Sequence, residues 1–417
     1  MVPRERTFRI AVRKFEPFEL ALARQWDSFE QRHHTSLQLE AVPLDLHPLH
    51  DSLFRNRGLV SGDWDAALIS TDWLTEAAEA EALVDLAPYI EQSSPEGYPQ
   101  AWSDSLLRLQ RFENRVLGLP YHDGPECLIY RKDLFENSDE RDRFAQQYAE
   151  PLNVPQTWEQ FRRIARYFTR PQKSLFGTVV AAYPDGHNTV YDFCLQLWTR
   201  GGELFEDSGR MRLDTPEAHE ALGFYRTLLK DSSAMHPESL SFDSVRSGFA
   251  FAAGEVAMMV NWFGFASMSE TIPQSKVKGC VGVARIPSGG GPRVSLNAYW
   301  VLGLPTGSPH RDVAWRFLSR CAGGEMDKLL TLQGGIGCRK STWSDPEVNA
   351  RIPFYHCLEE LHEGARELPR RSNWSQLAAV IDGMVQDAIN TSESTAEILQ
   401  RAQKLAEKAC PQGAQRI

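Results

Sequence analysis

In the stretch "VAMMVNW" an amide and an indole stand side by side: Asn261 and Trp262 directly follow the apolar run 256–260. A hydroxyl-rich ring needs that combination. Its C–H faces stack on the electron-rich face of an aromatic, and its hydroxyl edge needs amides and carboxylates as hydrogen-bond partners. The same pairing of types recurs along the chain. Phe15 and Glu16 follow "FRIAV" (8–12), Asp72 and Trp73 follow "DAALIS" (65–70), and His122 and Asp123 lie in "PYHDGPE" just ahead of "CLIY". Tyr299 and Trp300 open "YWVLGL", and Trp374 opens a helical stretch after a Pro-bearing loop. Each has a plain structural reading too: Asp72 or Asn261 as a helix cap, Trp73 as a staple, Trp262 and Trp374 as core. Taken together they suggest a polar, ring-stacking cleft.

Residues scattered this widely meet only if the elements that carry them end at one place. Open α/β sheets do this, because ligands collect beyond the carboxyl ends of parallel strands. "FRIAV", a helix with Leu22, Trp26 and Phe29 on one face, and "LQLEAV" (37–42) read as a βαβ unit. Further helices carry their own start signals. Thr157 and Gln160 form a capping box ahead of the stripe Trp158, Phe161, Ala165 and Phe168. Thr215 precedes Pro216, with Ala218, Leu222, Tyr225 and Leu229 facing inward. "SFDSVRSGFAFAAG" reads as a helix with Phe242, Val245 and Phe249 on its inner side and Gly254 as its terminator. "CVGVARIP" and "AYWVLGL" read as strands separated by a surface hairpin loop, "SGGGPRVS", and the last hundred residues as helices. The expected class is α/β.

Composition narrows the function. A chain of 417 residues is too long for one ordinary core, so two or three lobes are expected. No 18-residue apolar run is present to span a bilayer. The net charge of −10, without a Lys/Arg cluster, argues against a nucleic-acid surface. Seven scattered cysteines without a CxxC read as buried thiols, with neither a disulfide frame nor a zinc site. The histidines of "RHH" (32–34) and "HPLH" (47–50) fit a solvated surface better than a metal site, and no cofactor is expected. The opening "MVPRERTFRIAVRKF" runs from charge straight into a strand without an apolar h-region, so a leader peptide is not expected within it.

The ordered series "VLGLPYHDGPECLIYRKDLFE", "VPQTWEQFRRIARYFT", "LWTRGGELFEDSGRMRLDTPEAHEALGFYRTLL", "FAAGEVAMMVNWFGFA", "GVARIPSG" and "RDVAWRFLSR" covers nearly the whole chain. It resembles the bacterial extracellular solute-binding proteins of ABC importers, and within them the carbohydrate-binding, maltose-binding-protein-like group. The resemblance implies two lobes, each a mostly parallel sheet flanked by helices, with the ligand held between them and hinge closure around it. The lobes would be 1–120 with 287–322, and 121–286 with 323–417. It implies a sugar or oligosaccharide handed to the transmembrane subunits of an ABC permease by a monomeric, non-enzymatic protein in the periplasm or outside the cell. Matched position by position, the stacking aromatics would be Trp262, Trp374 and Tyr191, and the hydroxyl-binding carboxylates Asp72 and Asp123. The position after the first strand matches Lys14 to Glu16.

Departures from the family pattern leave alternatives open. Ala298-Tyr299 stands where many relatives have Gly-Gly, so Tyr299 would fill or line the cleft. His122 is unusual at the crossing and could bind an acidic group or satisfy backbone. The same fold hosts a thiaminase type of enzyme with a cleft cysteine nucleophile, for which Cys127 is the candidate here. Without an h-region in these residues, a cytoplasmic sugar sensor is a third reading. No GxSxG, HExxH or P-loop is present, and "SGGGPR" lacks the Lys and helix of a phosphate cradle.

Overall fold

The computed structural model describes residues 4–371 and 373–409. The chain folds as two compact units, Met1–Gly124 with Ala298–His362, and Pro125–Asn297 with Glu363–Ile417. The boundaries differ from expectation mainly at 323–362, which belongs to the first unit. Bonds between His122 and Ile336 and between Arg339 and Glu96, together with a buried amide, hold it there. Gln25, fully buried in the helix Glu16–His33, donates to the Met326 carbonyl at 3.1 Å and accepts from the Tyr121 hydroxyl at 3.0 Å. A buried amide left unpaired is costly, so these bonds tie the helix Gly324–Leu332 to the first unit.

In the first unit the strands run in the order Gln38–Leu44, Thr7–Arg13, Ala66–Ser70, Trp300–Gly303, Leu119–His122. The first three pair in parallel, and Trp300–Gly303 runs antiparallel to both its neighbours. Strands 7–13, 66–70 and 119–122 therefore end at one edge. The second unit's sheet has the order Val281–Ala284, Glu126–Arg131, Val256–Trp262, Phe176–Val179. Only the last pair is parallel, so this sheet is mixed and not mostly parallel. Glu126–Arg131 enters from the edge at which Val256–Trp262 leaves.

Most sequence-read elements form as expected, with two instructive shifts. The helix Ser244–Ala252 leaves Phe249 exposed and turns Ser247, Gly248 and Phe251 inward. Small residues win that face because a Cβ on Gly248 would stand 2.4 Å from the Phe265 ring of the helix Phe263–Thr271, which packs too closely for a side chain there. The glycine run is no hairpin, since the strands on either side of it lie in different sheets. It is docked: the amides of Gly289 and Gly291 donate to the Thr199 carbonyl at 2.8 and 2.9 Å.

The capping box forms with both of its bonds, Gln160 N to Thr157 Oγ1 at 3.2 Å and Thr157 N to Gln160 Oε1 at 3.2 Å. Its helix buries Trp158, Phe161, Ile164, Ala165 and Phe168. Thr157→Ala removes one of those bonds, and the second unit should lose about 1 kcal/mol, read as a lower urea midpoint at unchanged slope.

Candidate functional site

Asn261 answers why an amide stands beside the indole. It is 3% exposed; its Nδ2 donates to the Ser244 carbonyl at 3.0 Å, and its Oδ1 accepts from the Trp262 amide at 2.8 Å. Both ends of the amide are engaged in the fold, so Asn261 is a positioning residue and the expectation that it binds ligand is corrected. What it positions is Trp262, half-buried, whose ring meets Tyr191 edge to face at 5.7 Å and 86°. Tyr191 is itself buried on the helix Asn188–Trp198 and meets His187 at 6.0 Å. That helix is started by Asp185, whose Oδ1 accepts from the amides of His187 and Asn188 at 2.9 and 3.1 Å. Trp374 opens the helix Trp374–Asn390 and is 9% exposed against the same core.

Glu126 lies directly opposite Trp262 in the antiparallel pair. Opposed residues share a face of the sheet, so Glu126 belongs to the Trp262 side. It is 5% exposed, and its Oε2 has no hydrogen-bond partner among the described residues. Burial and the neighbouring Asp192 carboxyl hold Glu126 well above the usual carboxylate range. Burial likewise pushes Asp192 up to about 7, against the opposing hydrogen bond from the Tyr225 hydroxyl at 2.6 Å. Sequence reasoning missed both acids. The signal was available in Glu126, a charge at the head of the apolar strand "ECLIY".

The first unit gathers its own candidates where its parallel strands end. Phe15, half-buried, meets Phe18 edge to face at 5.0 Å and lies 6.2 Å from the His122 ring. Glu16 is exposed at the start of its helix. The Nδ1 of His122 accepts the Ile336 amide at 2.9 Å, so the ring proton sits on Nε2. Burial pulls its pKa down to about 4, and Phe18 packs against the ring at 4.7 Å. His122 is thus a neutral donor, suited to a hydroxyl or carbonyl oxygen. Asp72 accepts from Ser70 Oγ within the turn Thr71–Trp73 and is partly exposed; it caps no helix. Trp73 and Trp300 meet edge to face at 5.6 Å.

Asp123 is buried, with Oδ2 2.6 Å from His362 Nε2 and Oδ1 without a hydrogen-bond partner among the described residues. The other ring nitrogen of His362 meets Ser105 Oγ at 2.9 Å, and Trp343 stacks on its face at 4.9 Å. Serine, histidine and aspartate in a chain have the composition of a hydrolase triad. Here Ser105 is 7% exposed in the first turn of the helix Asp104–Leu109, and the chain serves to fix Asp123. Tyr299 is a correction. It is 1% exposed and its hydroxyl donates to the Leu106 carbonyl at 2.7 Å, so it is core; Trp300, one residue on and half-buried, takes the open face. Cys127 is fully buried and register-paired with Asn261, as its reading as a buried strand thiol expects. His50 is engaged by Glu76 at 2.9 Å.

A neutral His122 has a direct signature. Its ring resonances should stay flat from pH 8 to 5 and titrate near 4, with the proton on Nε2; a midpoint near 6.5 would contradict the buried donor. Because the unfolded ring binds its proton first, the folded state should lose stability as pH falls from about 6.5 towards 4.

The family model for bacterial extracellular solute-binding proteins matches residues 56–320, more than half of the chain. A putative binding protein of Brucella abortus is 24% identical over 260 residues, 61% of this chain; the match spans 57% of that protein's length. Among solved structures, a maltose-bound MalE3 of T. maritima superposes with a TM-score of 0.84 at 21% identity, covering 97% of this chain and all of that one. An ABC transporter solute-binding protein of Agrobacterium radiobacter in complex with ribitol gives 0.83 at 22%, covering 96% and 98%. At such identities the likeness carries the fold. Among the described residues no helix is long and apolar enough to cross a membrane.

Proposed function

We propose a solute-capture function from the premise that this chain belongs to the family of bacterial extracellular solute-binding proteins. The protein binds a small polyhydroxy solute, a sugar or polyol, and delivers it to an ABC permease outside the cytoplasmic membrane, without chemical change to the solute. The observation that carries this reading is the half-buried Trp262 indole, held by an amide whose own bonds are all internal. A rigid aromatic face with polar groups around it is what a pyranose or an extended polyol requires. Maltose and ribitol, bound by the similar structures, belong to the same chemical class.

In this reading Trp262 supplies the stacking face, with Trp374 beside the same core. Phe15, Glu16, Asp72, His122 and Asp123 supply apolar contact and hydrogen bonds. Tyr191 and Asn261 act through Trp262, and Tyr299 is left out. Hinge closure on the solute belongs to the proposal as well. It draws on ligand contacts made only in the closed state, which shift a minor population to the majority.

Two measurements test it. A thermal-shift screen of sugars and polyols should find a ligand that raises the melting temperature, and calorimetry of Trp262→Ala against that ligand should give an affinity weaker by about tenfold or more. Unchanged affinity would remove Trp262 from the site. Small-angle scattering should record a smaller radius of gyration with ligand than without; an identical profile would count against closure.

A further inference from the structure

We infer that the second unit carries a subsite for a positively charged nitrogen of its ligand, formed by the carboxyls of Glu126 and Asp192 beside the Trp262–Tyr191 ring pair. The inference rests on the solute-capture reading and narrows its substrate class to polyols or sugars bearing a basic nitrogen.

The placement comes from register and helix phase. Glu126 opposes Trp262 across the strands and shares its face. Trp262 meets Tyr191, and Asp192 is the next residue along that helix. Asp192 is partly exposed, so the pair is reachable from outside, whereas Glu126 is 5% exposed with Oε2 unpartnered among the described residues.

No cation compensates the pair. Among the described residues neither acid has an ion-pair partner, and the charged groups that act on them are carboxyls, Asp192 on Glu126 and Asp185 on Asp192. The Tyr225 hydroxyl donates to Asp192. Asp185 is occupied with the helix start, and Asp382 accepts from Thr189 at 2.5 Å. Cys194 is held un-ionised by burial. Arg366, the cation acting on Cys194, is gripped by both oxygens of Glu203 at 2.8 and 2.5 Å and lies over Trp198. Without a compensating cation the acids hold protons above the usual carboxylate range, which avoids an uncompensated buried charge.

A hydroxyl alone would not call for two acids, since a glutamine and an asparagine offer the same bonds without their burial cost. An ammonium does. Carboxylates supply charge-assisted hydrogen bonds, and aromatic faces attract a desolvated cation. When the cation enters, the pair gives up a proton to solvent and the charges match.

The test is calorimetry on the full chain with three probes: D-sorbitol, its amino counterpart D-glucamine, and the hydroxyl-free diamine putrescine. D-glucamine should bind about tenfold or more tighter than D-sorbitol at pH 8. Its affinity should rise from pH 6 to 8, by up to about tenfold per unit for each proton released. Glu126→Gln and Asp192→Asn should each erase the preference for D-glucamine and flatten the pH slope. D-sorbitol bound as well as D-glucamine, or affinity falling with pH, overturns the charged subsite and leaves solute capture standing. Putrescine alone binding keeps the subsite and overturns the polyol reading, and no binding in any arm overturns both. The wild-type pH slope needs no variant, so it decides the matter even if a substitution fails to fold.

Discussion

The pairing of Glu126 with Trp262 across two antiparallel strands is the constraint on which the second unit's site depends. It puts an acid and an indole on one face at the sheet edge where one strand enters and the other leaves. A shift of one residue would turn both to the opposite face. Asn261 anchors the end of that strand, because its side chain accepts the Trp262 amide and donates to the Ser244 carbonyl. The phase of the helix Asn188–Trp198 then brings Tyr191 against the indole.

The first unit solves the same problem with a different topology. Three parallel strands end together, so the loops after them carry Phe15, Asp72 and the His122–Asp123 pair. Orientation comes from second contacts. The Ile336 amide fixes which nitrogen of His122 carries the proton, and His362, braced by Ser105 and stacked on Trp343, holds Asp123. A side chain with its alternatives occupied by the fold presents one donor or one acceptor, and specificity follows from that restriction.

Among the described residues both units also keep buried oxygens without hydrogen-bond partners, Glu126 Oε2 in one and Asp123 Oδ1 in the other. Such groups lower stability, and folded proteins contain few of them. Each lies at the sheet edge where aromatic and polar side chains converge, and in the proposed reading a ligand group would complete their bonding.

Periodicity and start signals in the sequence determined the elements, and the ordered series of motifs determined the two-lobe α/β class. The capping box at Thr157, the strand 256–262 with its terminal indole, and the strand ends that carry Phe15, Asp72 and His122 were all legible, because each depends on neighbours within a few residues. Tertiary structure decided which neighbour faces out. Tyr299 and Trp300 read alike, yet a hydrogen bond to Leu106, distant in sequence, makes the first of them core. Asn261 could have been a ligand group until Ser244 claimed its amide. The segment 323–362 joined the first unit through bonds to residues hundreds of positions away, between Met326 and Gln25 and between Ile336 and His122. Glu126 and Asp192 became a pair only through strand register and helix phase. Local chemistry is written in the order of residues; proximity between distant residues, and the partners it leaves over, are settled only when the core packs.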